Sequence, residues 1–472
     1  MGHQTAEMAR PHGFGPTLAE SARRRGPTLG QLCSWSALSA ALSFATALAT
    51  EITLLLIILG AGAVFVWVAC WRLLLLRTSL WPTPAPPPPA AWPRYTILAA
   101  LHDEAEVVAQ LVRRLARLDY PVDRLEGFLL LEAHDQATIE AAVRLPRPSW
   151  LQVLVCPPGS PRTKPRALNF GLAHGAGELI TVYDAEDEPD PGQLKAAAAR
   201  LMAEPDLGCV QAPLRIRRGT GQFLDRQLAL EYASLFEVTL PGMARLGLPF
   251  PLGGTSNHFR ASALKAVGGW DAWNVTEDAD LGFRLWRHGW RLDVIPPPTW
   301  ETPPGRLRHW LPQRNRWLKG FLQTWGVHTR NPAALGFRGG FALFSTLGVG
   351  LASAAAHGPS VAYILAAVLV AGFAGIAPAT PWPSMVVLAF GAAAAWLSSA
   401  VGARRAGMRY RLSDMATAPF YWSLLSLAFV HALWRLVTEP FAWDKTPHRA
   451  DEVEEPPSAA IPLAPVAGRE AA

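Results

Sequence analysis

Two long apolar segments enclose the middle of this 472-residue chain, and they limit its possible folds more than any other feature. The first segment runs from Cys33 to Leu76 and is charged only at Glu51 and Arg72; the second covers most of residues 336–437. About 20 apolar residues cross a bilayer as a helix, so the first segment predicts a hairpin of two spans with a break near Thr50. Because half of the chain is hydrophobic and only 17% is charged, an ordinary soluble enzyme is excluded.

Arginine residues beside the apolar segments predict their orientation. Residues 23–25 precede the hairpin and Arg77 follows it, so the positive-inside rule places both of its ends in the cytosol. The second segment predicts four spans that return the chain to the cytosol, near Gly339–Ala356, Ser360–Ile376, Ser384–Val401 and Ala416–Leu436. This count puts the basic residues 403–411 outside, against the rule. Either one weak span is interfacial or the rule is overridden there.

Between the apolar segments, short apolar runs alternate with amphipathic helical patterns from Arg94 onward. This alternation predicts a doubly wound α/β domain with a mainly parallel sheet, in which ligands bind at the carboxyl ends of the strands. The whole chain is therefore predicted to consist of a cytosolic tail (1–32), a transmembrane hairpin (33–77), a proline-rich linker (78–93), an α/β domain (94–305), interfacial helices (306–335), transmembrane helices (336–437) and a second cytosolic tail (438–472).

The net charge and the cysteine content exclude few classes of function. The net charge of +6 is carried mostly by arginine and suits a membrane surface or an anionic small ligand as well as a nucleic acid; no nucleic-acid partner is predicted. The four cysteines show no CxxC spacing, so neither a disulfide framework nor a zinc site is indicated.

Acidic residues follow two predicted strands near the start of the α/β domain. Asp103 and Glu104 come after the strand YTILAAL, and Asp135 comes after FLLLEAH. Carboxylates at these points can accept hydrogen bonds from a nucleobase or from ribose hydroxyls. They can equally well cap the helices that follow, and both interpretations remain open.

A second acidic group, in the sequence VYDAEDEPDP, ends another apolar strand with Asp184, Glu186 and Asp187. Such a concentration of negative charge repels itself unless a cation is nearby. Mg²⁺ or Mn²⁺ would bind one or two of these carboxylates together with phosphate oxygens. The alternative is a solvated acidic turn that caps the helix after Pro191.

Three acids, Glu277, Asp278 and Asp280, stand within four residues at the start of a predicted helix. Capping by Asn274 or Thr276, with acids at the positive end of the helix dipole, would explain them. A carboxylate beside a bound sugar can also take the proton of an attacking hydroxyl. Asp278 is the candidate for that base.

The sequence QRNRW, Gln313 to Trp317, combines arginine and tryptophan just before the second apolar segment. Arginine binds phosphate oxygens bidentately, and an indole face stacks on a sugar. An amphipathic helix at headgroup level would use the same residues, and both interpretations can hold together.

The order DAED, TED, QRNRW within an α/β domain between membrane spans resembles the family 2 membrane glycosyltransferases of the cellulose, chitin and hyaluronan synthase type. The resemblance covers residues 94–330 in detail and the flanking spans in outline. It implies an A-type nucleotide-sugar-binding fold, Rossmann-like, on the cytosolic side of a bacterial inner membrane. It also implies inverting, Mg²⁺- or Mn²⁺-dependent transfer from a UDP-sugar donor.

The resemblance also implies roles for single residues. Asp103 and Asp135 resemble the uridine-binding acids, and Lys164 resembles a basic residue near the donor. Asp184 and Glu186 fall on the metal motif. The remaining matches are the catalytic base Asp278 with its neighbour Glu277, and the QxxRW residues that hold the diphosphate and the acceptor end, Gln313, Arg316 and Trp317.

Two departures from the family pattern stand out. His134 replaces one of two paired aspartates, which makes the uridine contact there less certain, and Glu186 stands where aspartate is common. Neither departure removes a catalytic group.

The sequence EPFAWDKTPHR after the last span resembles a segment of a bacterial exopolysaccharide subgroup of these synthases. Trp443, Lys445 and Thr446 are predicted to form a loop over the nucleotide, although a membrane anchor explains the same residues.

The function expected from these observations is the elongation of a β-linked polysaccharide, with a UDP-sugar and a growing glycan as substrates and accessory export subunits as possible partners. Two alternatives remain open. The first is transfer of a single sugar to a lipid acceptor. The second is a non-catalytic membrane subunit that only binds nucleotide-sugar.

Overall fold

Ten strands form the α/β domain in the described part of the chain, which comprises residues 14–24, 26–81, 83–217, 222–375 and 382–443 of this computed structural model. The strands are β1 Tyr95–Leu101, β2 Leu125–Glu132, β3 Leu151–Cys156, β4 Leu179–Val182, β5 Glu188–Pro189, β6 Leu207–Gln211, β7 Leu214–Ile216, β8 Asn257–Arg260, β9 Arg291–Val294 and β10 Thr299–Glu301.

The main sheet has the strand order β3-β2-β1-β4-β8-β6-β9. Strand β8 is antiparallel to β4 and β6, whereas the other neighbouring pairs are parallel. A second sheet has the order β5-β10-β7. The predicted α/β fold with a mainly parallel sheet is therefore confirmed.

The main sheet lies between two hydrophobic cores. Side chains of β1 alternate between them: Tyr95 and Ile97 belong to one core, and Leu98 belongs to the other. A strand buried on both faces is an almost continuous apolar run, as YTILAAL is. The helices of the domain are α3 Val108–Leu115, α4 Gln136–Arg144, α5 Lys164–His174, α6 Gln193–Ala203, α7 Phe223–Ser234, α8 Leu240–Arg245, α9 Ala261–Ala266, α10 Glu277–Arg287 and α11 Leu307–His328.

Long apolar helices flank this domain in the sequence. They are α1 Leu29–Leu48, α2 Thr50–Ser79, α12 Gly336–Leu343, α13 Val349–Ala374, α14 Trp382–Arg405 and α15 Leu412–Thr438. Within the described residues, four helical stretches are long and apolar enough to cross a membrane: Thr50–Ser79, Pro332–Ala374, Trp382–Arg405 and Leu412–Thr438. The predicted break near Thr50 is present at Ala49, but α1 is not among these four stretches.

The prediction of separate spans at Gly339–Ala356 and Ser360–Ile376 is wrong. A π-helical turn, Phe344–Gly348, joins α12 to α13 without a break, and α13 continues through Pro359 to Ala374. Proline removes a backbone donor, but a neighbouring helix can satisfy the freed groups. The donor missing at Pro359 would have served Ala355 O; in the preceding pair, the hydroxyl of Ser426 of α15 donates to Ala354 O at 2.6 Å and accepts from Gly358 N at 2.8 Å, which ties α15 to α13 beside the proline.

Because α12 and α13 form one continuous helix, the conflict between the basic residues 403–411 and the positive-inside rule disappears. With one helix fewer before them, these residues lie on the same side as the α/β domain. Their contacts agree with that placement, because Arg405 donates to the carbonyl of Ser79 at 2.9 Å and Arg226 of α7 donates to the carbonyl of Arg409. The end of α15 also contacts α11, where Lys319 donates to Glu439 O at 3.0 Å, so both ends of α15 lie beside helices of the domain and α15 is not counted as a further crossing.

Candidate active site

A cavity of about 720 Å³ extends from the carboxyl ends of β1, β2 and β4 to helices α2, α13 and α15. The residues predicted from the sequence line it, with the exception of Asp135: Asp103, Lys164, Asp184, Glu186, Glu277, Asp278, Gln313, Arg316 and Trp317. The fold therefore brings together side chains that are separated by more than two hundred positions in the sequence.

Asp135 lies behind the wall of the cavity and caps α4. Its carboxylate accepts from Thr138 N at 3.2 Å and from Asp103 N at 2.6 Å. Burial alone would raise the pKa of Asp135, but these hydrogen bonds bring it below the ordinary value. The N-cap interpretation therefore holds for Asp135, which supports the loop that presents Asp103 to the cavity.

Two histidines stand beside this loop and line the cavity. The rings of His102 and His134 meet edge to face with 5.0 Å between their centroids. His134 was noted in the sequence only as a departure, and His102 was missed because a histidine after a strand has no distinctive pattern. In the described chain, ligand atoms of His102, Asp103 and Asp135 form the one group of three that lie within 4.8 Å of one another. Both oxygens of Asp135 already accept backbone hydrogen bonds.

The acids after β4 surround a buried carboxylate. Asp187 is fully buried; its Oδ2 accepts from Asp184 N at 2.7 Å and from the Thr255 hydroxyl, whereas its Oδ1 has no partner among the described residues. Burial and the charges of Asp184 and Glu186 raise the pKa of Asp187 well above its ordinary value. Lys164 pairs with Asp184 and donates to Gly254 O at 2.7 Å.

Strand β10 adds a further acid that the sequence did not indicate. Burial, followed by the charges of Asp187, Glu186 and Asp184, raises the pKa of Glu301 well above its ordinary value. β10 pairs with β5, which follows the DAED turn, and this pairing brings Glu301 to the site across more than a hundred residues. Hard divalent cations bind such carboxylates, so the unpartnered Asp187 oxygen and the surrounding acids have the chemistry to bind Mg²⁺ or Mn²⁺, although no three of their ligand atoms lie within 4.8 Å of one another in the described chain.

The three acids at the start of α10 have different environments. Glu277 and Asp278 line the cavity, whereas Asp280 is buried beside α11, with Arg284 at 3.0 Å and His328 at 3.1 Å. The predicted side-chain capping by Asn274 or Thr276 is wrong. Thr276 occupies the N-cap position without forming a cap, because its side chain packs against Gly320; Asn274 accepts instead from Thr276 N at 3.0 Å.

Burial dominates the electrostatics of the two cavity-lining acids. It raises the pKa of Glu277 to about 8, with a further contribution from the charge of Asp278. Burial also raises the pKa of Asp278, against the opposing effects of its hydrogen bond from Ala279 N and of Lys164 and Arg316. A Cβ at Gly254 would lie 3.3 Å from Asp278 Oδ2, so glycine keeps the space beside this carboxylate open.

Helix α11 carries the QRNRW residues. Gln313, Arg316 and Trp317 line the cavity, and the guanidinium of Arg316 lies 4.8 Å from the ring centroid of Trp443, which lines it too. Trp443 therefore lies at the cavity, whereas Lys445 and Thr446, which were predicted to form a loop over the nucleotide with it, lie outside the described residues. Arg314 was predicted from the sequence only as one of the arginines of QRNRW, without a role of its own.

Comparison with known proteins identifies the family. The family described as "Glycosyl transferase family group 2" matches residues 179–433, so the chain belongs to it. The chain is 29% identical over 269 residues to a beta-monoglucosyldiacylglycerol synthase from Synechocystis, covering 54% of each protein. It is 25% identical over 253 residues to the cellulose synthase 1 catalytic subunit [UDP-forming] of Komagataeibacter xylinus, covering 52% of this chain and 33% of that protein.

The chain spans about half the length of the first curated relatives it matches. A mannosyltransferase from Pyrobaculum calidifontis, solved in complex with GDP-Man and Mn²⁺, shares the fold with a TM-score of 0.58 at 21% identity. The match covers 81% of this chain and 98% of that protein. The chain is thus a family 2 glycosyltransferase with an A-type nucleotide-sugar-binding domain next to apolar helices that can cross a membrane.

Proposed function

We propose that this glycosyltransferase transfers a sugar from a UDP-sugar donor to the end of a growing β-linked glycan at the cytosolic face of a bacterial inner membrane, with inversion at the anomeric carbon. The observation that carries the proposal is the cavity itself. Acidic and basic groups suited to a nucleoside diphosphate line it together with Asp278 and Trp317, and side chains of the apolar helices α2, α13 and α15 line the same cavity.

Each group has a chemical role in this proposal. Asp184 and Glu186 hold a divalent ion, which stabilises the charge that develops on the leaving diphosphate. Lys164 and Arg316 bind phosphate oxygens. Lys164 is already held between Asp184 and Gly254 O, so the ammonium group is oriented before a donor binds.

Asp278 takes the proton of the attacking hydroxyl. Its raised pKa moves it closer to neutral pH, where a general base combines a sufficient deprotonated fraction with a strong affinity for the proton. Glu277 contributes to the electrostatic environment of Asp278, and the indole of Trp317 stacks on the acceptor sugar. Gln313 completes the acceptor end.

A second candidate function is the addition of one sugar to a lipid acceptor. Apolar side chains from α2 and α13 that line the cavity favour it, among them Val68, Leu75 and Leu351, as does the printed name of the Synechocystis relative. Accessory export subunits belong to the polymer proposal alone, because a glycolipid can stay in the membrane that contains the enzyme.

Nucleotide release and product size test these proposals together. The purified protein in lipid nanodiscs is incubated with Mg²⁺ or Mn²⁺ and, in turn, with UDP-glucose, UDP-N-acetylglucosamine, UDP-galactose and GDP-mannose. Release of UDP with a long product supports the polymer synthase. A lipid product that carries a single sugar would instead support the second candidate function. Release of GDP from GDP-mannose would show that the donor nucleotide is GDP and not UDP.

A control variant distinguishes an enzyme from a protein that only binds the nucleotide-sugar. Asp278→Asn should abolish product formation while UDP still binds in the presence of Mn²⁺. If no donor is turned over by the wild type although UDP binds, the non-catalytic alternative replaces both proposals.

A further inference from the structure

Arg314 is the second residue of QRNRW, yet it takes part in none of the steps proposed above. It is only 3% exposed, and its guanidinium forms a two-armed pair with Glu231 of α7, with both N–O distances at 2.7 Å. A third hydrogen bond, at 2.6 Å, goes to the hydroxyl of Tyr421 on α15. This hydroxyl in turn donates to Glu231 at 2.5 Å. Three helices therefore meet at one guanidinium.

The same guanidinium lies against the acceptor tryptophan. Trp310, Arg314 and Trp317 occupy positions i, i+4 and i+7 of α11 and so share one face of the helix. The guanidinium carbon is 4.4 Å from the ring centroid of Trp317 and 5.4 Å from that of Trp310. Tyr232 of α7 stacks on Trp317 with 6.2 Å between the ring centroids and 28° between the ring planes.

We infer that Arg314 is a positioning residue that fixes the indole of Trp317 at the acceptor side of the cavity. A cation against an indole face attracts the ring, and the attraction grows when water is excluded; here Arg314 is buried and Trp317 is partly buried. The pair with Glu231 and the bond to Tyr421 hold the guanidinium itself in place, because a planar bidentate pair defines orientation as well as distance.

The contacts of Arg314 with Tyr421 link the cavity to the apolar helices. Tyr421 belongs to α15, which also contacts α13 through Ser426. The orientation of Trp317 is therefore tied to the packing of the apolar helices.

The expected effects follow from this arrangement. Arg314→Met removes the charge and keeps the aliphatic volume, whereas Arg314→Lys keeps the charge but cannot form the two-armed pair. For Arg314→Met we expect the KM for the acceptor to rise about 10-fold, which corresponds to loss of a cation–π contact. For Arg314→Lys, which keeps a cation but loses its fixed orientation, we expect a smaller rise. The KM for the donor and the slow hydrolysis of the donor by water should stay near their wild-type values. Glu231→Gln should show a smaller effect of the same kind.

The kinetic test is a double-mutant cycle between Arg314→Met and Trp317→Ala. If Arg314 acts through Trp317, it adds nothing to the acceptor KM once Trp317 is gone. If the increases in the acceptor KM of the two single variants instead multiply in the double variant, the inference is overturned. Arg200→Met is the matched control, because Arg200 forms a comparably buried pair with Asp293, at 2.6 Å, outside the cavity. This control should lower thermal stability without changing the acceptor KM.

The kinetic part rests on the proposed sugar transfer, so a structural measurement accompanies it. Cryo-electron microscopy of Arg314→Met in nanodiscs should show the indole of Trp317 displaced or in several orientations while α11 keeps its place. An indole that stays where it is in the wild type would overturn the inference, whatever the protein transfers. Absence of turnover in the wild type would instead count against the proposed function alone.

Discussion

Asp278 is a buried carboxylate that still borders the cavity, with Gly254 leaving space beside it. Asp278→Asn keeps the shape and removes the base, so we expect transfer to slow by about 10²- to 10⁴-fold while donor binding persists. Steady-state rates and UDP affinity measure the two effects. The matched control is Asp271→Asn, since Asp271 is also buried, with a pKa raised first by burial, but binds Ser21 and Ala22 outside the cavity. Equal losses in both variants would contradict the assignment.

The raised pKa of Glu277 leads to a second prediction, which concerns the pH dependence of stability. Its pKa is raised from 4.5 to about 8 by burial and by Asp278. Between these pH values the folded protein holds a proton that the unfolded chain has released, so the free energy of unfolding falls as the pH rises from about 4.5 to about 8. Glu277→Gln removes this group and should flatten the fall. Thermal unfolding in detergent at several pH values measures it.

The control for this prediction is Glu140→Gln, because Glu140 is exposed and pairs only with Arg144 on the surface of α4. That variant should keep the wild-type pH dependence. If Glu277→Gln also keeps it, the pKa of Glu277 is not raised in the folded protein.

At the scale of elements, the site depends on how closely α11 approaches the start of α10. A Cβ at Gly320 would overlap the side chain of Thr276, so this glycine permits the contact. Gly320→Ala should force the helices apart, lower stability by about 1–3 kcal/mol and reduce transfer, because Asp278 and Trp317 belong to the two separated elements. Thermal unfolding and transfer rates measure this.

Gly326→Ala is the control in the same helix. A Cβ there has nothing within 4 Å, and alanine favours a helix interior over glycine by about 1 kcal/mol. We expect this variant to be at least as stable as the wild type and fully active. Destabilisation of both variants alike would mean that the approach of α11 to Thr276 is not what matters.

For the molecule as a whole, the continuous helix from Gly336 to Ala374 predicts the membrane topology. The turn between α14 and α15 should lie on the same side as the α/β domain, and the end of α13 should lie on the other. Cysteines replacing Arg409 and Phe373 test this with a membrane-impermeant thiol reagent on intact cells and on inverted vesicles. Arg409→Cys should react like a cysteine at the exposed Glu140 of the domain, and Phe373→Cys should react in the opposite preparation. Reaction of Arg409→Cys and Phe373→Cys in the same preparation would contradict the topology.

Features that depend on local patterns could be predicted from the amino-acid sequence. Alternating apolar runs predicted the α/β fold, and the motifs around Asp184, Asp278 and Trp317 predicted which segments meet at the cavity. Both are readable because strand and helix periods, and the order of strand ends along a parallel sheet, are local properties of the chain.

Features that depend on partners distant in the sequence could not be predicted and are visible only in the folded chain. Helix α13 runs through Pro359 with Ser426 of α15 hydrogen-bonded to Ala354 and Gly358 beside it, although two separate spans were predicted there. Asp280 turns from the cavity to His328, and Glu301 joins the acidic group through the pairing of β10. A polar side chain takes its role from the partner that satisfies it when buried. These partners lie tens to more than a hundred residues away, beyond the reach of any local period.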